Sequence, residues 1–181
     1  MTAAPAVREA GRCLCGAVAF EVSARPLDVI DCHCRFCQRA TGSAFLVETL
    51  FAEEAFRATA GAPAVYAHRS AGSGRTIRIH FCDTCGTKLW MTFARFPGKV
   101  GVFSGAFDTP DWFGPAPDRL HFFLSEAPLG RVLPAGAEVY DAHYFAAEGV
   151  PDTARRLDSP AVVTEALREE SRARLAAQGR R

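Results

Sequence analysis

The amino-acid sequence predicts a mainly β fold with a C-terminal helical extension. Two stretches, 16–22 and 77–81, alternate apolar with polar or small residues, which is the pattern of half-buried strands. Glycine and proline interrupt the chain between such stretches, as at 110–117. The last part, 161–178, is instead dominated by Ala, Leu, Glu and Arg, which favour helix. These observations indicate many short strands followed by one helix.

The composition narrows the classes of function. The chain has 181 residues, of which 49% are hydrophobic and 23% charged, as expected for a globular protein with a substantial core. The net charge of +1 gives no reason to expect a nucleic acid or an anionic membrane as partner. No apolar stretch reaches the roughly 20 residues that span a bilayer, and the N-terminal residues lack the apolar centre of a signal peptide. We therefore expect a cytoplasmic protein.

The strands can be placed in chain order. The first covers 16–22 and is ended by Pro26, after which Val29 and Ile30 lead into a cysteine-rich loop. The 77–81 stretch runs into a second pair of cysteines and 88–93 leaves it, which predicts a hairpin with cysteines at its tip. Further strands are predicted over 100–107, 120–124 and 139–145. Only 52–56 suggests a short helix within this body.

The end of the chain differs from the body. Residues 151–181 contain no aromatic side chain and seven arginines, and Ser159-Pro160 has the composition of a helix start. The apolar stripe of this helix (Val163, Leu167 and Leu175) is thin, and acidic residues offset much of the positive charge. We therefore predict a main domain over 1–148 and a solvated helical tail over 149–181, not a nucleic-acid-binding arm.

The 7 cysteines form three tight groups and indicate a metal. The groups are Cys13 and Cys15; Cys32, Cys34 and Cys37; and Cys82 and Cys85. An odd count without an export signal argues against a disulfide framework. Spacings of one or two residues can bring several thiolates to one ion, and zinc suits such soft sulfur ligands. A single cysteine is more often a small apolar core residue, but seven in these clusters favour zinc.

Glycines suggest how the cysteines divide. Gly16 and Gly86 directly follow the second cysteine of the outer groups, where a positive φ would let the backbone turn so that amides point at the thiolates. The middle group lacks such a glycine. We therefore pair the outer groups in one closed four-cysteine site. The middle three cysteines would form a second site with an open position, which is typical of catalytic zinc.

The spacing leaves other arrangements open. His33 lies between two proposed ligands, so its ring would project away from their metal. A distant histidine could close the second site instead; the candidates are His68, His80, His121 and His143. A single zinc with spare thiols also fits the spacing alone.

The cysteines belong to longer motifs of fixed order. These are Cys13-x-Cys15-Gly16, Cys32-His33-Cys34-x-x-Cys37-Gln38-Arg39-x-Thr41-Gly42 and Phe81-Cys82-x-x-Cys85-Gly86-Thr87-x-Leu89-Trp90, followed by Phe103-Ser104-Gly105-Ala106-Phe107-Asp108 and Leu120-His121-Phe122-Phe123. This set, spread over 11–141, resembles the glutathione-dependent formaldehyde-activating enzyme family, which includes the centromere-protein-V-like proteins. The resemblance implies a β-tent of small antiparallel sheets with two zinc ions. It assigns Cys13, Cys15, Cys82 and Cys85 to a structural zinc, and Cys32, Cys34 and Cys37 to a catalytic zinc.

The resemblance also implies an activity. The family reaction adds the thiol of glutathione to formaldehyde, which gives S-hydroxymethylglutathione, so the partners would be a small thiol and a small aldehyde and the enzyme class a carbon–sulfur lyase. Arg35, Arg39 and Ser43 are candidate substrate contacts beside the three-cysteine group, although surface roles are at least as common for such residues. Two features depart from the family: Leu129 follows Ala-Pro where Trp is usual, and 151–181 matches nothing in it.

Two functions from other classes compete with the enzyme. In a zinc-stabilised binding or scaffold module, the tail or Trp112-Phe113 would contact a partner. In a thiol or metal sensor, Cys32, Cys34 and Cys37 would act as reversible thiols. The coordination of the middle site distinguishes these hypotheses, because only catalysis requires an open position facing solvent.

Overall fold

The computed structural model describes residues 7–109, 112–115, 118–147 and 150–180. The predicted fold class is confirmed: the protein is mainly β, with several sheets and a C-terminal helix. The chain forms two compact units, one from Met1–Asp28 and Glu48–Phe113, the other from Val29–Val47 and Gly114–Arg181. No helix in the described ranges has the length and apolar character needed to cross a bilayer. Parts of the predicted connection at 110–117 lie outside the described residues.

The first unit contains two antiparallel sheets. In the smaller sheet β2 (Ala19–Val22) lies between β1 (Glu9–Arg12) and β5 (Phe56–Ala60). Within this unit the strands of the larger sheet follow the order β4-β9-β8-β7-β6. They are β4 (Leu46–Ala52), β6 (Ala64–Arg69), β7 (Thr76–Phe81), β8 (Lys88–Phe93) and β9 (Lys99–Phe103). The predicted hairpin of 77–81 and 88–93 is the antiparallel pair β7–β8.

The core of the first unit follows from the alternation in the sequence. Val18, Phe20 and Val22 are at most 3% exposed, which confirms that this face of the first predicted strand is buried. The Phe20 ring packs edge-on to Phe107, with centroids 5.3 Å apart, and Phe56 packs on it as well. Cys13 and Cys82 belong to the same buried cluster. The outer cysteine groups are therefore anchored in this core.

The second unit contains parallel as well as antiparallel pairs. β10 (Leu120–Phe122) pairs in parallel with both β3 (Asp28–Cys32) and β12 (Glu138–Val139), while β15 (Arg155–Arg156) adds to β12 antiparallel. Two small antiparallel pairs complete the strands: β11 (Val132–Leu133) with β16 (Ala161–Val162), and β13 (Phe145–Ala147) with β14 (Val150–Pro151). These parallel pairs therefore occur in addition to the antiparallel pairing that the family resemblance implies. Long connections lead into β10 and out of it, and such connections permit parallel neighbours.

The helices differ from the prediction in number and bounds. Helix α1 (Arg35–Thr41) was not predicted, and the helix predicted over 52–56 is one turn of 3-10 helix, Glu53–Ala55. Helix α2 (Glu165–Ala177) begins later than the predicted 161–178, because Ala161–Val162 pairs with β11. The cap is Thr164, whose Oγ1 accepts the N–H of Leu167 at 3.2 Å. Ser159 is therefore not the cap.

Candidate metal centres

The two outer cysteine groups meet in the first unit. The Sγ atoms of Cys13, Cys15, Cys82 and Cys85 all lie within 4.8 Å of one another. Cys13 and Cys15 follow β1, and the other two lie in the turn between β7 and β8. The four-cysteine group is therefore the one predicted from the glycines.

The backbone at this four-cysteine group shows why glycine follows each pair. Gly16 and Gly86 have φ of +78° and +74°, in the left-handed region that side chains disfavour. Their N–H groups donate to the carbonyls of Cys13 and Cys82 at 3.0 and 2.8 Å and so close the two turns. Amides of following residues do reach the sulfurs, as expected: the N–H of Val18 lies 3.3 Å from Sγ of Cys13, and those of Ala17 and Thr87 bond to the sulfurs of Cys15 and Cys85.

The four sulfurs have the spacing of a tetrahedral zinc site. With Zn–S bonds of about 2.3 Å, tetrahedral geometry places ligand sulfurs about 3.8 Å apart. The Sγ of Cys15 lies 3.5 Å from that of Cys13 and 3.7 Å from that of Cys82. The hydroxyl and amide of Thr87 lower the pKa of Cys85 to about 5, which favours the thiolate that a metal needs. The residues present therefore fit zinc.

The middle group forms a second cluster in the second unit. The Sγ atoms of Cys32, Cys34 and Cys37 lie within 4.8 Å of one another. Cys32 ends β3, Cys34 is the N-cap of α1, and Cys37 lies in its first turn. The Sγ of Cys34 accepts the N–H of Cys37 at 3.3 Å, as a capping side chain does. The unpredicted helix is thus what brings three thiols together.

Burial and charge single out Cys34 within this cluster. Cys32 and Cys37 are 5% and 4% exposed, whereas Cys34 is half-buried. Hydrogen bonds from the thiols of Cys32 and Cys37, and then from backbone N–H groups, outweigh burial and lower the pKa of Cys34 to about 3. The pKa values of the other two rise well above the usual range. Cys34 is therefore the member of this cluster that solvent can reach.

No histidine closes either cluster within the described residues. The candidates His33, His68, His80, His121 and His143 all lie outside the two groups of converging ligand atoms. The ring of His33 points away from the cysteines, since its Nε2 is 3.5 Å from Nδ1 of His121 and the ring packs on Phe45. In the described part of the chain, the three-cysteine cluster thus has no fourth protein ligand, and a metal there would keep an open position.

A buried ionic cluster lies beside the three cysteines and was missed by sequence reasoning. Asp31 is fully buried; Arg131 donates to its Oδ2 at 2.9 Å and Arg119 approaches its Oδ1 at 3.5 Å. Burial, and then these positive charges, lower the pKa of His121 to about 4. Burial, followed by the charges of His121 and Arg131, lowers that of His33 to about 3. Both imidazoles are therefore neutral near pH 7. The one signal in the sequence was that Asp31 and His121 each lie within a short, largely apolar strand, β3 and β10 respectively.

The substrate contacts predicted from the sequence lie near the cluster but on the surface. Arg35, Arg39 and Ser43 are all exposed, on or just after α1. The guanidinium of Arg35 donates to the side chain of Gln38. Glu126 was not predicted, yet its Oε2 accepts the backbone N–H of Arg35 at 2.5 Å, and burial raises the pKa of Glu126. Leu129, where the family usually has Trp, is 57% exposed.

Comparisons with known proteins identify the family of this chain. Residues 8–126 match the family described as glutathione-dependent formaldehyde-activating enzyme. The chain is 31% identical over 121 residues to a protein of Halomonas elongata whose name refers to the same activity; the match covers 65% of this chain and 76% of that one. A crystal structure of a Rhodobacter sphaeroides protein is 27% identical, with a TM-score of 0.44 over 55% of this chain and 87% of that one. The matched region contains all seven cysteines of both clusters. The chain therefore belongs to the glutathione-dependent formaldehyde-activating enzyme family.

Proposed function

We propose that this protein is a zinc-dependent enzyme, of the carbon–sulfur lyase class, that adds glutathione or a similar thiol to formaldehyde or another small aldehyde. The observation that carries the proposal is the three-cysteine cluster, which has two buried thiols, one accessible thiol at Cys34 and no fourth protein ligand in the described chain. Family membership supports the substrate pair.

The two clusters would have different roles. Cys13, Cys15, Cys82 and Cys85 would hold a structural zinc, because four thiolates complete a tetrahedral site. Cys32, Cys34 and Cys37 would hold the catalytic zinc. When bound there, zinc supplies an open coordination position that can hold a thiolate or polarise an aldehyde oxygen.

The reaction needs no oxidant or reductant. The sulfur of the thiol forms a bond to the carbonyl carbon, the C=O double bond becomes a single bond, and the thiol proton ends on the oxygen. Arg35 and Arg39 are the exposed cations on α1, whose N-cap is Cys34, and either could bind a carboxylate of the thiol substrate. His33 is fully buried and neutral, so it contributes by packing on Phe45 and His121.

The proposal is tested by rate and zinc content together. Thiols add to formaldehyde without a catalyst, so the uncatalysed rate is subtracted and the excess compared between wild type and Cys34→Ser. We expect two zinc ions per chain and a measurable excess in wild type, and one zinc and no excess in Cys34→Ser. Two bound zinc ions without any excess, for glutathione and for a thiol lacking carboxylates, would reject the enzyme and favour a binding module.

A further inference from the structure

Helix α2 packs on a short turn of the second unit. The turn, Leu124–Glu126, is a single turn of 3-10 helix that follows Phe123, whose φ of +62° lies in the left-handed region. Leu124 and Val163 are each 1% exposed and share one apolar cluster, against which Leu167 of the helix packs. The helix is therefore docked on the body of this unit, and the expectation of a solvated tail is wrong.

Asp141 connects the helix to the same turn. Its carboxylate accepts Nε and Nη2 of Arg174 at 2.7 and 2.8 Å, and the hydroxyl of Ser171 at 2.7 Å. The backbone carbonyl of Asp141 accepts the hydroxyl of Ser125 at 2.9 Å. Because the arginine contact is bidentate and Ser171 is fully buried, Asp141 fixes the helix in one position relative to the turn.

The turn Leu124–Glu126 also holds the first residues of α1. Oε2 of Glu126 accepts the N–H of Arg35, one of the first helical amides, which have no partner within a helix. The backbone carbonyl of Glu126 accepts Nε2 of Gln38 at 3.1 Å, and the same nitrogen donates to the carbonyl of His33 at 2.5 Å. These bonds therefore hold the backbone on both sides of Cys34, at His33 and at Arg35.

We propose that helix α2 positions the three-cysteine cluster, acting through Asp141 and Glu126 on the N-terminus of α1. The helix lies beyond residues 8–126 that match the family, so this would be a role for the C-terminal extension. This proposal rests on the proposed function in one respect only: it takes the three-cysteine cluster to be the catalytic site. Glu126 is here a positioning residue, since its carboxylate reaches a backbone amide and not a sulfur.

Hydrogen exchange of the full-length, zinc-loaded protein tests this coupling. In Asp141→Asn we expect the amides of α1 (Arg35–Thr41) to exchange about fivefold faster, the effect of losing about one hydrogen bond. Peptides from β7 and β8 should not change and serve as an internal reference. Glu165→Gln is the matched control, because it removes an exposed ion pair on the same helix. Faster exchange in α2 with no change in α1 would overturn the proposal.

Three further variants keep the test decisive. If Asp141→Asn does not fold, Arg174→Met releases the helix while leaving the bond between Asp141 and Ser125, and the same result is expected in α1. At the turn, Glu126→Gln retains an acceptor oxygen and should keep α1 protected within about twofold, whereas Glu126→Ala should not. Equal protection in these two variants would also overturn the proposal. Exchange is measured without turnover, so a wild type lacking thiol–aldehyde activity would reject the proposed function and leave this result intact.

Discussion

Arg131 lies between Asp31 and Phe45, two residues of very different chemistry. Its Nη2 donates to Oδ2 of Asp31 at 2.9 Å, and its guanidinium carbon lies 4.1 Å from the ring centroid of Phe45. Phe45 also packs on His33, the residue between two of the clustered cysteines. The ionic cluster thus forms part of the support of the three-cysteine loop, and its charges should matter for stability.

Replacing the buried carboxylate is expected to be costly. Asp31→Asn leaves Arg119 and Arg131 without their shared counter-charge, and removing one partner from a buried ion pair costs about 3–5 kcal/mol. Burial raises the pKa of Asp31 and the two arginines lower it, so relief from desolvation of the carboxylate offsets part of this cost. Urea unfolding measures the change. Asp28→Asn, on the same strand, should change the free energy of unfolding by less than about 1 kcal/mol.

A double variant separates a stranded charge from lost packing. Arg131→Met combined with Asp31→Asn removes one cation together with the carboxylate, so it should recover part of the lost stability. If the double variant were less stable than Asp31→Asn alone, the explanation by uncompensated charge would be wrong.

The buried imidazole of His121 predicts a pH dependence of stability. Its pKa is about 4 in the folded protein against 6.5 ordinarily, so the unfolded chain binds the proton more readily. The stabilising contribution of the neutral ring is therefore present above pH 6.5 and is lost as the pH falls towards 4. Between pH 7 and 5.5 the loss from this group is about 1 kcal/mol.

The comparison that checks this uses His121→Gln. Wild type should lose about 1 kcal/mol more than this variant when urea unfolding is moved from pH 7 to pH 5.5. His68→Gln provides the control, because His68 is a partly exposed residue on β6 in the other unit. An unchanged pH dependence in His121→Gln would show that this ring is not kept neutral by its surroundings.

The sequence predicted those parts of the two cysteine sites that depend on residues close together in the chain. Gly16 and Gly86 mark tight turns because positive φ depends on a single residue, and close cysteine spacing depends on the turns themselves. Asp31 and Arg131 are 100 residues apart, so no local pattern could pair them. The predicted start of α2 was wrong for a related reason. Ser159-Pro160 is a good helix start by composition, but Ala161–Val162 pairs with β11, so the cap is Thr164.

Gly11 should be intolerant of any side chain. A Cβ at this position would lie 2.2 Å from Cζ of Phe20 and 2.5 Å from the carbonyl oxygen of Ala106. The carbonyl is backbone and Phe20 is fully buried, so neither can move without disturbing the core of the first unit. Gly11→Ala should therefore lower the free energy of unfolding by about 1–3 kcal/mol.

The matched control for this substitution is Gly105→Ala. Among the described residues, apart from its two chain neighbours, none has an atom within 4 Å of a Cβ at Gly105, and its φ is not in the left-handed region. Stability should therefore stay within about 0.5 kcal/mol of wild type. Thermal unfolding of both variants suffices. Similar losses in Gly11→Ala and Gly105→Ala would mean that the close approach to Phe20 is not what requires glycine.

The two cysteine clusters should differ most in what the loss of a bound metal does to the fold. Cys85 and Cys34 are both half-buried, so Cys85→Ser and Cys34→Ser remove similar packing. The four-cysteine site, however, joins residues 67 positions apart and shares Cys13 and Cys82 with the core of the first unit. Structural zinc contributes roughly 10–16 kcal/mol in zinc-finger peptides. Cys85→Ser should therefore lose several kcal/mol of stability and Cys34→Ser much less.

Calorimetry with zinc counted in each sample checks this difference. Cys34→Ser should unfold close to the wild-type temperature with one zinc, because the ligands of the remaining site lie within the other unit. Cys85→Ser should unfold at a much lower temperature whether or not the second zinc remains. If Cys34→Ser were the less stable of the two, the three-cysteine cluster would be the structural site, and the assignment of catalysis to it would fail.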